Sequence, residues 1–157
     1  MNIVMRGSII LLLSILIVCG SCYSFKDVSI PPEVKTARVN YIENKANYVN
    51  PQLSPQLTER LRQKINNQTR LTLIQGDDAH YDISGEIRSY TVSTAGISDQ
   101  QAATNRLMVT VHIIFKNRLD EKANFEADIS RNFDFSASLS LQQAEAQQTE
   151  DILKNLT

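Results

Sequence analysis

Two hydrophobic periods run along this chain behind an unbroken apolar start. From Ile9 to Val18 only Ser14 interrupts a series of Ile, Leu and Val, with Arg6 before it and the small residues Gly20 and Ser21 after it. That stretch is too short for the ~20 residues a membrane-spanning helix needs. A positive start, a short apolar segment and a small-residue site form the pattern of an export signal. Residues 1–21 are therefore read as a signal peptide, and the chain as leaving the cytoplasm. From Tyr23 to Pro32 no period is visible, and Ile30-Pro31-Pro32 favours extended backbone. Residues 22–32 are read as a tether reaching ~30 Å at most, and residues 33–157 as a single domain.

Within that domain the periods assign the elements. Ala37, Val39 and Tyr41 alternate with Arg38 and Asn40, predicting a first strand. Ser54 and Pro55 look like an N-cap and first helical turn. Leu57, Leu61 and Ile65 recur every four residues, predicting an amphipathic helix over 55–68. Thr69 to Gln75 reads as a short strand, and Gly76-Asp77-Asp78 as a turn. Period-two alternation returns over 80–92 through Tyr81, Ile83, Gly85 and Ile87. It is strongest from Leu107 through Val109, Val111 and Ile113 to Phe115, and appears again from Phe125 to Phe135. The polar stretch from Ser93 to Asn105 reads as a loop. From Ser140 onward a Gln-, Ala- and Glu-rich segment reads as a second helix. The expected fold class is α+β: two helices packed on one face of a four- to five-stranded, mainly antiparallel sheet in the order β-α-β-β-β-α.

Composition narrows the function classes. Lys and Arg total 16 against 17 Asp and Glu, so the chain lacks the basic excess that binding nucleic acid by bulk charge requires. Its 157 residues, 42% of them hydrophobic, suit one adequate core. The sequence holds no G-x-S-x-G elbow, phosphate-binding loop, G-x-G-x-x-G or H-E-x-x-H. His80 and His112 lie beside and on predicted strands with no nucleophile in view, and are read as surface residues. No enzyme activity, cofactor or metal site is expected. Arg38, Arg60, Arg62, Lys64, Arg88, Arg106 and Arg118 support two readings: a solvated surface balanced by acids, or a patch that meets phosphates or anionic head groups.

The cysteines add an anchor. Small residues before Cys22 at the end of the apolar run resemble a bacterial lipoprotein signal, in which the cysteine thiol carries a diacylglyceryl group. Cys19, the other cysteine, follows bulky Val18 and makes a poorer cleavage site. Cleavage before Cys22 leaves a mature chain with no further cysteine, and acylation would consume the one thiol otherwise free in an oxidising compartment. The alternative, a secreted protein with a spare cysteine, explains less. Tyr23 follows Cys22 where an Asp would signal inner-membrane retention in many proteobacteria, so the outer membrane is the expected location.

The segments Cys22-Tyr23-Ser24-Phe25, Ile30-Pro31-Pro32-Glu33-Val34-Lys35-Thr36, Asn50-Pro51-Gln52-Leu53-Ser54, Ser84-Gly85-Glu86-Ile87 and Asn105-Arg106-Leu107 are, in order and spacing, similar to LptE-type lipopolysaccharide-assembly lipoproteins of the Bacteroidetes group. The resemblance covers nearly the whole mature chain. It implies a lipid-anchored protein on the periplasmic face of the outer membrane that plugs a β-barrel lipopolysaccharide translocon of the LptD type and contacts lipopolysaccharide. It also implies a second helix that runs on for further turns. With that function in view, the loop from Ser93 to Asn105 is the expected insertion element, and Arg106 and Arg88 are the lipopolysaccharide-contact candidates. If their strands pair as a hairpin, the two guanidinium groups are expected to approach each other and grip one phosphate. An acid such as Asp99 competes for Arg106. The rival reading is a periplasmic lipoprotein that activates a cell-wall synthase or nucleates a secretion channel on a similar scaffold.

The signal and the position of Cys22 make one expectation testable. Cys22→Ala is expected to abolish metabolic acyl labelling and release a folded domain from the membrane fraction. Retained labelling in that variant would move the attachment to Cys19.

Overall fold

The alternation from Leu107 to Phe115 forms the middle strand of an antiparallel meander. The computed structural model describes residues 30–98 and 101–157. The expected signal peptide, Cys22 and most of the tether lie outside them. Strand β1 is Thr36–Val39, β2 Glu43–Asn44, helix α1 Leu53–Gln68 and β3 Thr72–Leu73. Strand β4 is Tyr81–Ser98, β5 Gln101–Asn117 and β6 Phe125–Ser136, and helix α2 is Leu141–Leu156. Pro31–Thr157 makes one compact unit.

The architecture is α+β, with two helices and an open sheet in the order β3-β1-β4-β5-β6, with β2 also beside β4. The sheet has six strands and is mixed rather than mainly antiparallel. β4, β5 and β6 form an antiparallel meander, whereas β1 runs parallel to both β3 and β4, and β2 parallel to β4. The reason is connectivity: parallel neighbours need a crossover, and α1 supplies it between β1 and β3. Both helices cover the same sheet face. Leu53 and Leu57 of α1 meet Ile152, Leu153 and Leu156 of α2 over Ile87, Tyr90, Leu107, Val109, Val111, Phe133 and Phe135.

Three local expectations change. Helix α1 starts at Leu53, because Asn50 turns the chain early: its side chain accepts from the Gln52 amide at 3.0 Å and its carbonyl from the Leu53 amide at 3.3 Å. Ser54 is thus a buried first-turn residue and not the cap. Pro55 is tolerated because first-turn amides have no partner within the helix. The polar stretch expected as a loop is instead strand. Ser93 pairs with Arg106, Thr94 with Asn105 and Gly96 with Thr104, so β4 and β5 form one long hairpin. Alternation also changes phase within β4. A register shift between Ile87 and Ser89 leaves Arg88 as an extra residue, moving the core-facing set from Ile83 and Ile87 to Tyr90 and Val92.

The second helix begins as its sequence suggests, with Ser140 and Gln143 exchanging a reciprocal capping box. The α1 side is pinned by Thr58, only 2% exposed. Its hydroxyl donates to the Ser54 carbonyl at 2.8 Å and accepts from the Ile42 amide at 3.0 Å, tying the helix to the chain between β1 and β2.

Thr58→Val keeps the volume but leaves the Ile42 amide buried without an acceptor. It should cost about 1–3 kcal/mol in urea unfolding, whereas Thr58→Ser, which keeps the hydroxyl, should cost clearly less.

Candidate functional site

The sheet face turned away from the helices carries the polar half of each alternating strand, so its chemistry follows from the strand register. Pairing puts Glu86 opposite His112, and His112 opposite Asp128. These side chains form a row across three strands in which an imidazole stands between two carboxylates. Lys45 Nζ lies 2.9 Å from Glu86. Arg88 Nε donates to Glu86 at 2.9 Å, and its NH1 group donates to Asp128 at 3.2 Å. His112 Nδ1 lies 2.8 Å from the same Asp128 oxygen, with its Nε2 3.5 Å from Glu126. The bulge positions Arg88: the extra residue brings its side chain to the polar face, where it bridges Glu86 and Asp128.

His112, expected at the surface, is only 7% exposed although it stands on the outer face. Its neighbours bury it, and a strand pattern cannot report that. Gly85 contributes to the close fit, since a Cβ there would stand 2.5 Å from the His112 carbonyl oxygen.

Two further clusters share this face. At the β1 end Arg38 pairs with Asp82 at 2.7 Å and also with Asp77, while Asn40 donates to Asp82 at 2.6 Å. Hydrogen bonding from Arg38 holds the Asp82 carboxyl below its ordinary pKa. Toward the hairpin, Arg106 grips Asp134 through both carboxylate oxygens, at 2.6 and 2.8 Å. Asp134, directly opposite on β6, is therefore the acid paired with Arg106.

The hairpin forms, but it does not bring Arg88 and Arg106 together. Arg88 sits at the bulge beside Val111 and Thr110, four to five residues along β5 from Arg106, or about 15 Å. A single phosphate cannot bridge that gap. The other cations do not join them in one patch either. Arg60 of α1 pairs with Glu150 of α2 at 2.6 Å, Arg62 donates to the Val39 carbonyl, and Lys64 to the Thr157 carbonyl.

On the helix side a cleft of about 290 Å³ lies between the two helices and the segment before α1. Tyr48 and Tyr90 stack there with ring centroids 5.3 Å apart. Both hydroxyls point to Glu145, that of Tyr90 at 2.7 Å. Burial first, and then the Glu145 carboxylate, push the Tyr90 phenol pKa well up, so this tyrosine stays a neutral donor. Among the described residues no group of three His, Cys, Asp or Glu side chains is arranged to hold a metal ion, and no helix is long and apolar enough to cross a membrane.

Fold and face together define a small open-sided α+β domain with a charge-paired outer sheet. The LptE family of lipopolysaccharide assembly matches residues 34–157, and the chain belongs to that family. A comparison with curated proteins finds no match. Among solved structures, rare lipoprotein B from Shewanella oneidensis is 17% identical, with 76% of this chain and 83% of that one covered at a TM-score of 0.46. Protein XCC0632 from Xanthomonas campestris is 10% identical over 80% and 83%, at 0.49. The LpoB C-terminal domain from Salmonella enterica is 9% identical over 62% and 82%, at 0.43. At such scores and identities these likenesses carry no functional argument.

The polar row yields a titration prediction. Hydrogen bonding from Lys45 and then Arg88 lowers the Glu86 carboxyl from 4.5 to about 2. Its contribution to stability is therefore in place above 4.5 and lost as pH falls through about 2. Carbon-detected NMR titration should find Glu86 near 2 in the native protein, and Lys45→Met should move it back toward 4.5.

Proposed function

We propose that the chain is a lipoprotein, acylated at Cys22, on the periplasmic face of the outer membrane, where it partners and plugs an LptD-type β-barrel translocon that assembles lipopolysaccharide. The observation that carries this reading is the LptE family match over residues 34–157. The export signal and Cys22 support the anchor, and the charge-paired sheet face suits the polar wall of a barrel lumen. The role is one of binding and scaffolding rather than catalysis.

Arg106 and Arg88 remain the lipopolysaccharide-contact candidates, now as two separate positions. Each would exchange or share a carboxylate partner, Asp134 for Arg106 and Glu86 or Asp128 for Arg88, when a phosphate arrives. The Arg106–Asp134 and Arg88–Asp128 pairs are close to half exposed, so an exchange there costs little.

Affinity capture of the full-length lipoprotein from detergent-solubilised outer membranes tests the reading. It is expected to recover a β-barrel of the lipopolysaccharide-transport type in about equal amount, and depletion of the lipoprotein should lower mature barrel several-fold. Recovery of a cell-wall synthase with unchanged surface lipopolysaccharide would transfer the role to the rival class.

A further inference from the structure

The outer edge of β4 changes character along its length. Near its start it is covered: Asn40 donates to the Ile83 carbonyl at 2.8 Å and Lys45 to the Ile87 carbonyl at 2.9 Å. Past Ile87, among the described residues, no backbone bond reaches this edge. The core-facing residues Ile83 and Ile87 are the ones that present carbonyls outward. Beyond the bulge that phase passes to Tyr90 and Val92, which stand opposite Val109 and Leu107. Tyr90 is only 4% exposed, against the stacked Tyr48 ring, so the open part of the edge starts past it, where the N–H and C=O groups of exposed Val92 face away from β5. Pairing with β5 is unbroken from Ser89 to Thr94, so the exposed stretch from Thr91 to Thr94 is a regular edge long enough for a short added strand.

Open edges invite pairing with foreign strands, and folded proteins normally blunt them with charge or proline. The other edge of the meander is defended in this way, with Glu126, Asp128, Arg131 and Asp134 along β6. The β4 edge is not. Ser89-Tyr90-Thr91-Val92-Ser93-Thr94 contains no charge and no proline, and four of its six residues are aromatic or β-branched; such residues favour strand. Its side chains are exposed from Thr91 through Ala95, with Val92 at 42% and, farther along, Ile97 at 74%. The hairpin also outruns its support. β6 ends at Ser136, opposite Thr104, so only two strands continue toward the tip, and a two-stranded ribbon is marginal in water without a third.

We propose that the edge of β4 from Thr91 to Thr94 receives a further strand from the barrel partner, so that the two proteins share one sheet. The inference rests on the barrel reading given above and adds the mode of contact. A row of alternating backbone donors and acceptors is complementary to another extended backbone, and an uncharged edge selects an uncharged segment. The strands of a closed barrel wall are already paired on both sides. The added strand therefore comes from a loop or luminal segment of the barrel, which the projecting hairpin is placed to meet.

The test uses the full-length, membrane-anchored protein. Val92→Pro removes one outward N–H at an edge position where proline is compatible with the fold, and Thr91→Lys adds a charge beside it. Each is expected to lower barrel recovery in affinity capture at least tenfold, while thermal unfolding of the domain shifts by only a few degrees. A benzophenone side chain at Thr91 or Ser93 should crosslink to the barrel, and Val92→Pro should abolish those crosslinks. If wild type recovers the barrel and a folded Val92→Pro or Thr91→Lys variant recovers it equally, the edge proposal fails and the barrel reading stands. If wild type recovers no barrel, both fail. Crosslinks from Thr91 to a second copy of this chain would also overturn the proposal.

Discussion

Burial of one face of β5 against two helices is the constraint on which everything else depends. Leu107, Val109 and Val111 are each at most 1% exposed. They lie at the centre of a cluster reaching to Leu57 on one helix and Ile152, Leu153 and Leu156 on the other. Because strand side chains alternate, committing these positions to the core commits His112, Thr110 and Arg106 to the opposite face. A slip of one residue between β5 and either neighbour would exchange the two sets. The polar row and the apolar core therefore share one register, fixed by the hydrophobic side.

The polar face has its own logic. Cations and carboxylates stand close together so that each finds a partner: Lys45 and Arg88 on Glu86, Arg88 on Asp128 and Arg106 on Asp134, with the His112 ring nitrogen 2.8 Å from Asp128. Exposed pairs of this kind add little stability individually. They do hold long side chains in fixed places and leave the face nearly neutral, which suits a surface meeting a polar wall better than one meeting nucleic acid. The single extra residue at Arg88 joins the face to the core, since the same bulge turns Arg88 toward Asp128 and brings Tyr90 inward to Glu145.

Beyond that bulge the hairpin has different physics. Up to Ile87 the sheet is covered by β1 and β2 on one side and by β5 and β6 on the other. Past it β4 has one neighbour, and past Thr104 so does β5. Thr58, buried where α1 meets the chain leading to β2, belongs to the supported half. Only the tip past Thr104 is held mainly by backbone pairing between β4 and β5.

Local chemistry was legible wherever one face of an element is consistently apolar. The period of Leu107 to Phe115, the four-residue spacing of Leu57, Leu61 and Ile65, and the Ser140 start of α2 all appear in the sequence, because burial of one side dictates residue type at fixed intervals. The signal and Cys22 are expectations from sequence that lie outside the described residues. Tertiary structure alone decided the rest. Parallel pairing of β1 with β4 depends on a crossover between residues far apart in the chain, and the strand nature of Ser93 to Asn105 depends on backbone bonds to a partner that polar side chains do not advertise. The burial of His112 and the separation of Arg88 from Arg106 follow from register across three strands. The pattern along any one strand fixes which face a residue takes, and not which residues stand beside it.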